Sequence, residues 1–403
     1  MTASRFTAEQ RAKLEAWTTR YLVPRMGLIE ALRDVQDWHG HVTPEDEVEL
    51  ARLFGLPPTQ VREVVTFYPY FTHQKAGKLR VAVCRNVSCA VAGAGTAMKR
   101  LQRELGVPAE HATPDGLLSW EEAECLGACE QAPALSVNDE LQGPATDELL
   151  DKLLPLLRQG KVPCPGLGTR PAEFDRRSGR VRILTEHFAD PDLHTLAGYC
   201  KHGGYSAWEK AKGLEPAAIT AEVKRSNLRG LGGAGFPVGM KWETVPPKKD
   251  KPHYLVCNFD ESEPGCFKDR ALAERNPHAL VEGLQIAARA IGADRAYVFI
   301  RGEYLAQHRI LTQALAEAQE ARLLAVPVQM MRGANAYISG LDTALLETME
   351  GKKAWPRQPP PFPTASGLLR FPTVVNNVET LMMLPAIIGK GGEWFASVGS
   401  TRN

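Results

Sequence analysis

The feature that most restricts the fold of this chain is a set of four cysteines in two close pairs. Cys84 and Cys89 have C-x4-C spacing, and Cys125 and Cys129 have C-x3-C spacing. Thiolate sulfur is a preferred ligand of zinc and of iron–sulfur clusters, and ferredoxin-type 2Fe-2S centres take four cysteines. Zinc sites commonly use the shorter C-x2-C spacing, so the two pairs favour a cluster. Structural zinc and ordinary reduced thiols stay open as alternatives.

Length and composition limit the class of protein. A chain of 403 residues predicts two or three domains, because a single core rarely grows beyond about 250–300 residues. The 48 basic and 47 acidic side chains nearly cancel, so we expect no nucleic-acid partner. The first residues lack the pattern of a secretory leader, and no uncharged apolar run reaches about 18 residues. We therefore predict a cytoplasmic protein without a membrane span.

Four segments with different patterns follow one another along the chain. Residues 1–75 have helical spacing and helix-start residues, which predict a helical lead-in. Residues 76–160 mix strand and helix patterns and predict a small α/β domain. The Pro- and Gly-rich residues 161–195 predict a linker, and residues 196–403 predict a second, larger α/β domain. The predicted fold class is therefore α/β.

Hydrophobic periodicity predicts individual elements in both α/β domains. Leu79, Val81 and Val83 alternate with less apolar residues and predict a short strand that ends at Cys84. Each cysteine pair is predicted to lie in a loop after a strand. The remaining predictions are helices at 93–105, 146–157, 277–291 and 303–320, and strands at 134–137, 253–257, 296–300 and 326–331.

A glycine loop at residues 228–241 could bind a phosphorylated or flat ligand. Gly230, Gly232, Gly233 and Gly235 let the backbone come close to a ligand and leave N–H groups for a phosphate. No strand pattern precedes the loop, which disfavours a standard dinucleotide-binding fold. A flexible glycine-rich turn without a ligand is the open alternative.

An acidic loop at residues 260–266 follows the strand predicted at 253–257. Asp260, Glu261 and Glu263 crowd the end of that strand, where ligand-binding loops commonly lie. Their carboxylates could accept hydrogen bonds from ribityl or ribose hydroxyl groups, and they would repel a bare phosphate. A solvated acidic turn is the open alternative.

Longer stretches of the first half carry a resemblance to a known family. They are GHVTPEDEVELARLFGLPPTQVREVVTFYPYF in the lead-in, then CRNVSC and ECLGAC around the cysteines. With them, residues 20–157 resemble the small thioredoxin-like 2Fe-2S subunit of respiratory complex I. The resemblance implies a thioredoxin-like 2Fe-2S domain in which Cys84, Cys89, Cys125 and Cys129 hold a binuclear cluster beside a flavin subunit.

The second half carries a further resemblance. Its glycine and acidic loops, with RGEY at 301–304, YISGLDTALLETMEGK at 337–352, PPPFP at 359–363 and PTVVNNVETL at 372–381, resemble the FMN- and NADH-binding subunit of complex I. A single chain with both parts is similar to the diaphorase subunit of NAD-linked hydrogenases, and related formate dehydrogenases use the same two modules. The resemblance implies NADH oxidation through FMN, electron transfer to the 2Fe-2S cluster, and partner subunits in a larger redox complex. It implies FMN contacts from Gly230, Gly232, Lys241, Asn258, Asp260, Glu261, Tyr337, Gly340, Asn376 and Asn377, and NADH contacts from Phe236, Glu263 and Phe362.

Five positions depart from the family pattern. Leu231 replaces the second arginine of RGRGGAGFP, and Leu341 and Asp342 replace the glutamates of GEE. Pro359 replaces a lysine before the PPF segment, and Phe259 replaces the small residue of NADESEPG. These positions flank the flavin or the nicotinamide. A second hypothesis is therefore a non-catalytic electron-transfer or assembly subunit that has lost NADH turnover, and a third is a zinc-stabilised interaction module.

The other cysteines and the C-terminal residues contain no second cluster motif. The family places an SCGxCxPC motif for a 4Fe-4S cluster in a C-terminal helical domain, and the sequence reaches Asn403 without it. We therefore expect the 2Fe-2S cluster to be the only iron–sulfur centre of these residues. The remaining cysteines are single and widely spaced, and we interpret them as buried or free thiols. They are Cys164, Cys200, Cys257 and Cys266.

Overall fold

A computed structural model describes residues 5–161, 163, 181–248 and 251–398. Much of the predicted linker, together with Cys164, lies outside the described residues. Within these ranges, no helix has both the length and the apolar surface needed to cross a bilayer.

The first part of the chain is helical, and its helix ends are set by capping residues. Thr43 forms a capping box with Asp46, and left-handed Gly40 and Gly55 end the second and third helices. The prediction of helices in this part of the chain is confirmed. They are α1 (Ala8–Arg20), α2 (Leu28–His39), α3 (Pro44–Phe54) and α4 (Pro58–Phe67), with a 3-10 turn (Pro24–Gly27) before α2.

A four-stranded mixed sheet follows the helical lead-in. Its elements are β1 (Leu79–Cys84), α5 (Val87–Val91), α6 (Ala94–Leu105), β2 (Leu118–Ala123), β3 (Ala134–Val137), β4 (Glu140–Pro144) and α7 (Asp147–Arg158). The strand order is β2-β1-β3-β4, with β1 and β2 parallel and β3 antiparallel to both of its neighbours. The predicted strands at 79–83 and 134–137 and the helices at 93–105 and 146–157 are confirmed. Strand β2 was not predicted because Glu121 and Glu122 interrupt its apolar pattern.

The second domain is built on a four-stranded parallel sheet. Its strands are β5 (Tyr254–Phe259), β6 (Arg295–Ile300), β7 (Val328–Arg332) and β8 (Thr373–Asn377), in the order β7-β6-β5-β8. Its helices are α8 (Leu196–Lys201), α9 (Ser206–Lys212), α10 (Pro216–Arg225), α11 (Val238–Glu243), α12 (Lys268–Arg275), α13 (Pro277–Ile291), α14 (Leu305–Glu320), α15 (Asp342–Met349), α16 (Pro363–Ser366), α17 (Val378–Met382), α18 (Leu384–Lys390) and α19 (Gly392–Ala396).

This strand order defines where a ligand can bind. The winding of the sheet reverses between β5 and β8, and α/β sheets bind ligands beyond the carboxyl ends of their strands at such a point. The glycine loop follows α10 and not a strand, as the sequence pattern predicted. The sheet nevertheless has a doubly wound order, which the loop alone did not reveal.

The lead-in helices cover one face of the parallel sheet. Alternate residues of β5 point to opposite faces, as in any strand, and Leu255 packs with the helical layer that contains α13. On the other face, Val256 packs with Tyr21 and Met26 of the lead-in. Burial on both faces explains the nearly continuous apolar sequence of the strand. The lead-in therefore completes the core of the second domain as well as preceding the first.

A carboxylate in the β3–β4 turn links all three parts of the chain. Asn138 and Asp139 form this turn with positive φ at both positions, as two-residue hairpins prefer. Asp139 contacts Arg33 of α2 at 3.3 Å, Arg80 of β1 at 3.2 Å and Arg332 of β7 at 2.9 Å. Burial opposes ionisation of Asp139, but the three guanidinium groups outweigh it and hold its pKa below the usual value.

We expect Met26→Ala to destabilise the second domain. The Met26 side chain is 1% exposed against the sheet, and truncating a buried methionine costs about 2–5 kcal/mol. Denaturant unfolding should show a lower midpoint. Leu22→Ala is the matched control, because Leu22 lies nearby in sequence but is 39% exposed, and its effect should stay within about 0.5 kcal/mol. Equal effects of the two variants would contradict the covering role of the lead-in.

Candidate functional site

The four cysteines of the predicted cluster lie together at one edge of the first sheet. Cys84 ends β1 and pairs in register with Ala123, so Cys125 follows shortly beyond the neighbouring parallel strand. Cys89 lies in the short helix α5, so its predicted position in a loop was wrong. The thiols are close enough to hydrogen-bond one another: Cys84 contacts Cys89 and Cys125, and Cys129 contacts Cys125.

Backbone amides surround the sulfurs, and three of them donate at 3.2–3.4 Å. The N–H of Ala134 donates to Cys89 Sγ at 3.3 Å, that of Gly127 to Cys125 Sγ at 3.4 Å, and that of Gly265 to Cys129 Sγ at 3.2 Å. Such bonds help to set the potential of an iron–sulfur cluster. Of the three donors, Gly265 belongs to the acidic loop of the second domain.

Two of the four thiols are shifted toward the thiolate form, whereas Cys84 and Cys129, which donate to them, have raised pKa values. Hydrogen bonds from Cys129 and Cys84, with a contribution from the charge of Arg301, lower the pKa of Cys125. A hydrogen bond from Cys84 lowers the pKa of Cys89 to about 7, and the thiolate is the form that binds metal. Among the described residues, no group of three or more His, Cys, Asp or Glu side chains has the arrangement of a single-ion site. The four thiols and the backbone N–H groups that donate to them therefore support a cluster.

The second domain packs against residues 125–129, which we call the cluster loop, and hydrogen-bonds to them. Gly127 has φ +62°, and an added Cβ would lie 2.6 Å from the Tyr304 hydroxyl, so a side chain has no room there. Arg270 Nε donates to Gly127 O at 3.1 Å, and Arg301 Nη2 donates to Cys125 O at 2.8 Å. Both arginines are buried. No residue pattern indicated these contacts of Arg270, Arg301 and Tyr304, although Arg301 and Tyr304 lie in the RGEY segment.

The predicted flavin residues meet at the switch point of the parallel sheet. Asn258 of β5 and Asn377 of β8 are register partners at the carboxyl ends of their strands. Gly232 approaches Asn377 so closely that an added Cβ would lie 3.1 Å from the Asn377 Cβ. At the same edge, Asn258 Nδ2 donates to Gly340 O at 2.7 Å, and the Gly340 backbone packs against Asp260 O. Glycines at positions 232 and 340 thus allow close approach at this edge of the sheet.

The two ends of the glycine loop are hydrogen-bonded to each other, and the middle of the loop is open to solvent. The N–H of Gly230 donates to Phe236 O at 2.9 Å, and the N–H of Val238 donates to Leu228 O at 2.9 Å, so both strands of the loop are tied together. Gly233 and Gly235 have positive φ and open space beside them. Backbone of this kind can lie against a phosphate or a planar ring.

Lys241 and Asn376 connect the glycine loop to β8. Lys241 Nζ donates to Val375 O at 2.7 Å and lies 3.1 Å from Asp342 Oδ2. Trp242 Nε1 donates to Asn376 Oδ1 at 3.0 Å. The structure thus brings the predicted residues together, but their polar atoms already have protein partners. Asn377 likewise caps α17 and contacts Asp269.

Glu261 lies at the junction of the two predicted sites. Its carboxylate accepts from the N–H groups of Asp269 at 2.9 Å and Arg270 at 3.1 Å, at the start of α12. The Tyr304 hydroxyl lies 3.2 Å from the same carboxylate. Glu261 therefore connects the acidic loop to Arg270 and Tyr304, which both contact the cluster loop. Its predicted contact with flavin stays a prediction.

Exposed aromatic side chains surround the crevice. Phe236 is 51% exposed and Phe362 is 64% exposed. A hydrogen bond between Thr244 and Thr364 at 2.9 Å ties the helices that follow Phe236 and Phe362. Large exposed apolar groups often mark ligand or partner sites. Phe236 and Phe362 are therefore available to stack on a ring.

A cavity of about 620 Å³ lies between the two domains. Cys125 of the cluster loop and Arg301 line one part of it, and Glu263 and Tyr337 line another. The Tyr337 hydroxyl donates to Glu263 Oε2 at 2.6 Å. A predicted cluster ligand and a predicted NADH residue therefore share one cavity.

We expect Asp260→Asn to stabilise the cofactor-free protein more at about pH 8 than at about pH 5. Burial raises the pKa of Asp260 from its ordinary value of 3.8 to about 7. The folded state therefore binds more protons than the unfolded state between these values, and stability falls as pH rises through that window. Asparagine removes this cost, which grows by about 3 kcal/mol between pH 5 and pH 8. Urea unfolding at both pH values measures the difference, and an equal gain at both would contradict it.

Two family models match the chain in separate segments. The thioredoxin-like [2Fe-2S] ferredoxin model matches residues 14–158. The Nuo51 FMN-binding domain model matches residues 223–386. The first match begins inside the helical lead-in, and the second includes the glycine loop, the acidic loop and all four strands of the parallel sheet.

Known proteins share one or both segments. An NADH-quinone oxidoreductase subunit of Rhizobium meliloti is 51% identical over 231 residues, which are 55% of this chain and 55% of that protein. The HoxS alpha subunit of the NAD-reducing hydrogenase of Cupriavidus necator is 32% identical over 400 residues, which are 94% of this chain and 65% of that protein.

A solved structure supports the same arrangement. The NAD+-reducing [NiFe]-hydrogenase in the H2-reduced state matches with a TM-score of 0.81 at 32% identity, over 94% of this chain and 63% of that chain. The chain thus spans between about half and about two thirds of the proteins that it matches. Its two matched segments belong to the thioredoxin-like [2Fe-2S] ferredoxins and to the Nuo51 FMN-binding domains, joined in one polypeptide.

Proposed function

We propose that this chain is the electron-input module of a larger redox complex, in which NADH is oxidised through FMN and electrons pass to a 2Fe-2S cluster on Cys84, Cys89, Cys125 and Cys129. The observation that carries the proposal is the shared cavity between Cys125 and Glu263. The acidic loop adds a direct link, because Gly265 donates to Cys129. Electron transfer between two cofactors depends on two neighbouring binding sites more than on a general acid or base.

The flavin side of the proposal depends on the switch-point crevice. Gly230 and Gly232 would admit the ring or the phosphate, while Asn258 and Asp260 offer amide and carboxyl groups to ribityl hydroxyls. Glycines that allow close approach, together with mixed donors and acceptors, support FMN as the ligand. FMN, when bound, accepts a hydride from a nicotinamide and releases electrons to one-electron carriers.

The nicotinamide side depends on the exposed rim of the crevice. Phe236 and Phe362 provide aromatic faces, and Glu263 provides a carboxylate that the Tyr337 hydroxyl holds in place. Stacking and one oriented acceptor would hold NADH and align its ring with the flavin.

The names of the relatives support partner subunits, and the cytoplasmic location is the one predicted from the sequence. Matched proteins are subunits of NADH-quinone oxidoreductase and of an NAD-reducing hydrogenase, as their names state. We extend this to a multi-subunit complex of the complex I, hydrogenase or formate dehydrogenase type, located in the cytoplasm.

One observation favours a second candidate, a non-catalytic electron-transfer or assembly subunit. Asp342 replaces a family glutamate, and its shorter carboxylate is paired with Lys241 Nζ at 3.1 Å. The neighbouring Leu341 is 50% exposed and offers no carboxylate. Such a chain would keep both cofactors without NADH turnover.

An anaerobic visible spectrum separates these candidates. For the proposed function, the purified protein should show flavin and iron–sulfur absorption, and NADH should bleach both. Bleaching by dithionite alone would support the non-catalytic subunit instead. A colourless protein that contains zinc would reject both.

We expect Glu263→Ala to raise KM for NADH by about tenfold or more, the size expected for loss of a hydrogen bond to a charged group. FMN content should stay unchanged, because Glu263 belongs to the nicotinamide side. Steady-state kinetics and flavin release from the denatured protein measure the two effects. Glu209→Ala, at an exposed site on α9, is the control. Unchanged NADH kinetics would remove Glu263 from the site.

A further inference from the structure

The two cysteine pairs are held in different ways. The Cys84 and Cys89 pair is supported within its own domain, where Ala134 donates to Cys89. The cluster loop with Cys125 and Cys129 is instead held by the second domain, through Gly265, Arg270 and Arg301. One side of the predicted cluster therefore lies against two buried arginines of the flavin domain, each of which is paired with carboxylates.

Arg301 is the group that connects the two sites most directly. Its guanidinium donates to Cys125 O at 2.8 Å and to Glu261 O at 2.5 Å, so it joins the cluster loop to the acidic loop. It is 4% exposed. Its counter-ion is Glu303, whose carboxylate accepts from Nε at 3.0 Å and from Nη2 at 2.6 Å.

We propose that Arg301 is a positioning residue of the flavin domain that raises the reduction potential of the 2Fe-2S cluster across the domain boundary. The inference rests on the proposed cluster and extends it. It makes the readiness of the cluster to accept an electron depend on the docking of the flavin domain.

The physical reason is electrostatic. Reduction adds one negative charge to the cluster, and a nearby buried cation stabilises the charged product because water does not screen it. Hydrogen bonding and local charge are recognised determinants of cluster potential. Glu303 opposes the effect of Arg301, since its carboxylate lies in the same pair. Removal of either partner should therefore shift the potential, in opposite directions.

The test is a redox titration of the purified, cluster-loaded protein, followed by EPR of the reduced cluster. Arg301→Gln should lower the equilibrium constant for cluster reduction by at least tenfold, which is 59 mV for one electron. Arg301→Lys keeps the charge and should stay closer to the wild type than to the glutamine variant. Glu303→Gln should raise the constant.

Arg309→Gln is the matched control. Arg309 lies on the neighbouring helix α14, is 56% exposed, and pairs with Glu140 of the first domain. The variant therefore loses a domain-crossing ion pair without touching the cluster loop, and its cluster potential should equal that of the wild type.

Three results would overturn the proposal. They are an unchanged potential in Arg301→Gln with an intact EPR signal, equal shifts in the glutamine and lysine variants, or a similar shift in Arg309→Gln. If the Arg301 variants do not fold, Glu303→Gln decides alone, and a potential that is lowered or unchanged rejects the role. The wild-type EPR signal tests the cluster separately, so its absence would reject the proposed function and the inference together, whereas a normal signal with unmoved potentials rejects Arg301 alone.

Discussion

The arrangement of the whole molecule depends on one carboxylate. Asp139 lies in a tight turn of the first sheet and binds arginines from the lead-in, from its own sheet and from the parallel sheet. A charge in such a place is costly unless it is well paired, and Asp139 is paired three times. These three ion pairs therefore favour the docked arrangement of all three parts. The same docking brings the cluster loop against the second domain.

Docking also determines how the two candidate sites relate to each other. The lead-in covers a sheet face that would otherwise expose Val256 and Val375. On the carboxyl side of the same sheet, the residues after β5 form the acidic loop, and those after β6 supply Arg301 to the cluster loop. Parallel strands end at one edge, so a flavin crevice and a cluster contact arise from neighbouring strand ends. The two candidate sites are thus parts of one structural unit.

Residue patterns predicted much of the fold and of the candidate sites. The cysteine spacings and the alternation before Cys84 predicted where the thiols would meet. The wrong placement of Cys89 in a loop shows the limit, because the five-residue helix α5 is too short to produce a periodic pattern. Strand β2 escaped detection for a related reason, since its glutamates break the alternation. No sequence pattern indicated the contacts of Arg270 and Arg301, because their partners are carbonyl groups distant in the chain.

By itself, the sequence determined the chemistry that is available: thiols at cluster spacing, glycines that admit a ligand, carboxylates at a strand end, and the α/β alternation that brings strand ends together. These features depend on the local spacing of residues, which is present in the sequence before the chain folds. Only the tertiary structure decided that the lead-in completes the second core, that Asp139 joins three segments, and that a flavin-domain arginine lies on the cluster loop. Those contacts join residues far apart in sequence, and their energies depend on burial and on mutual distance, which no local pattern encodes.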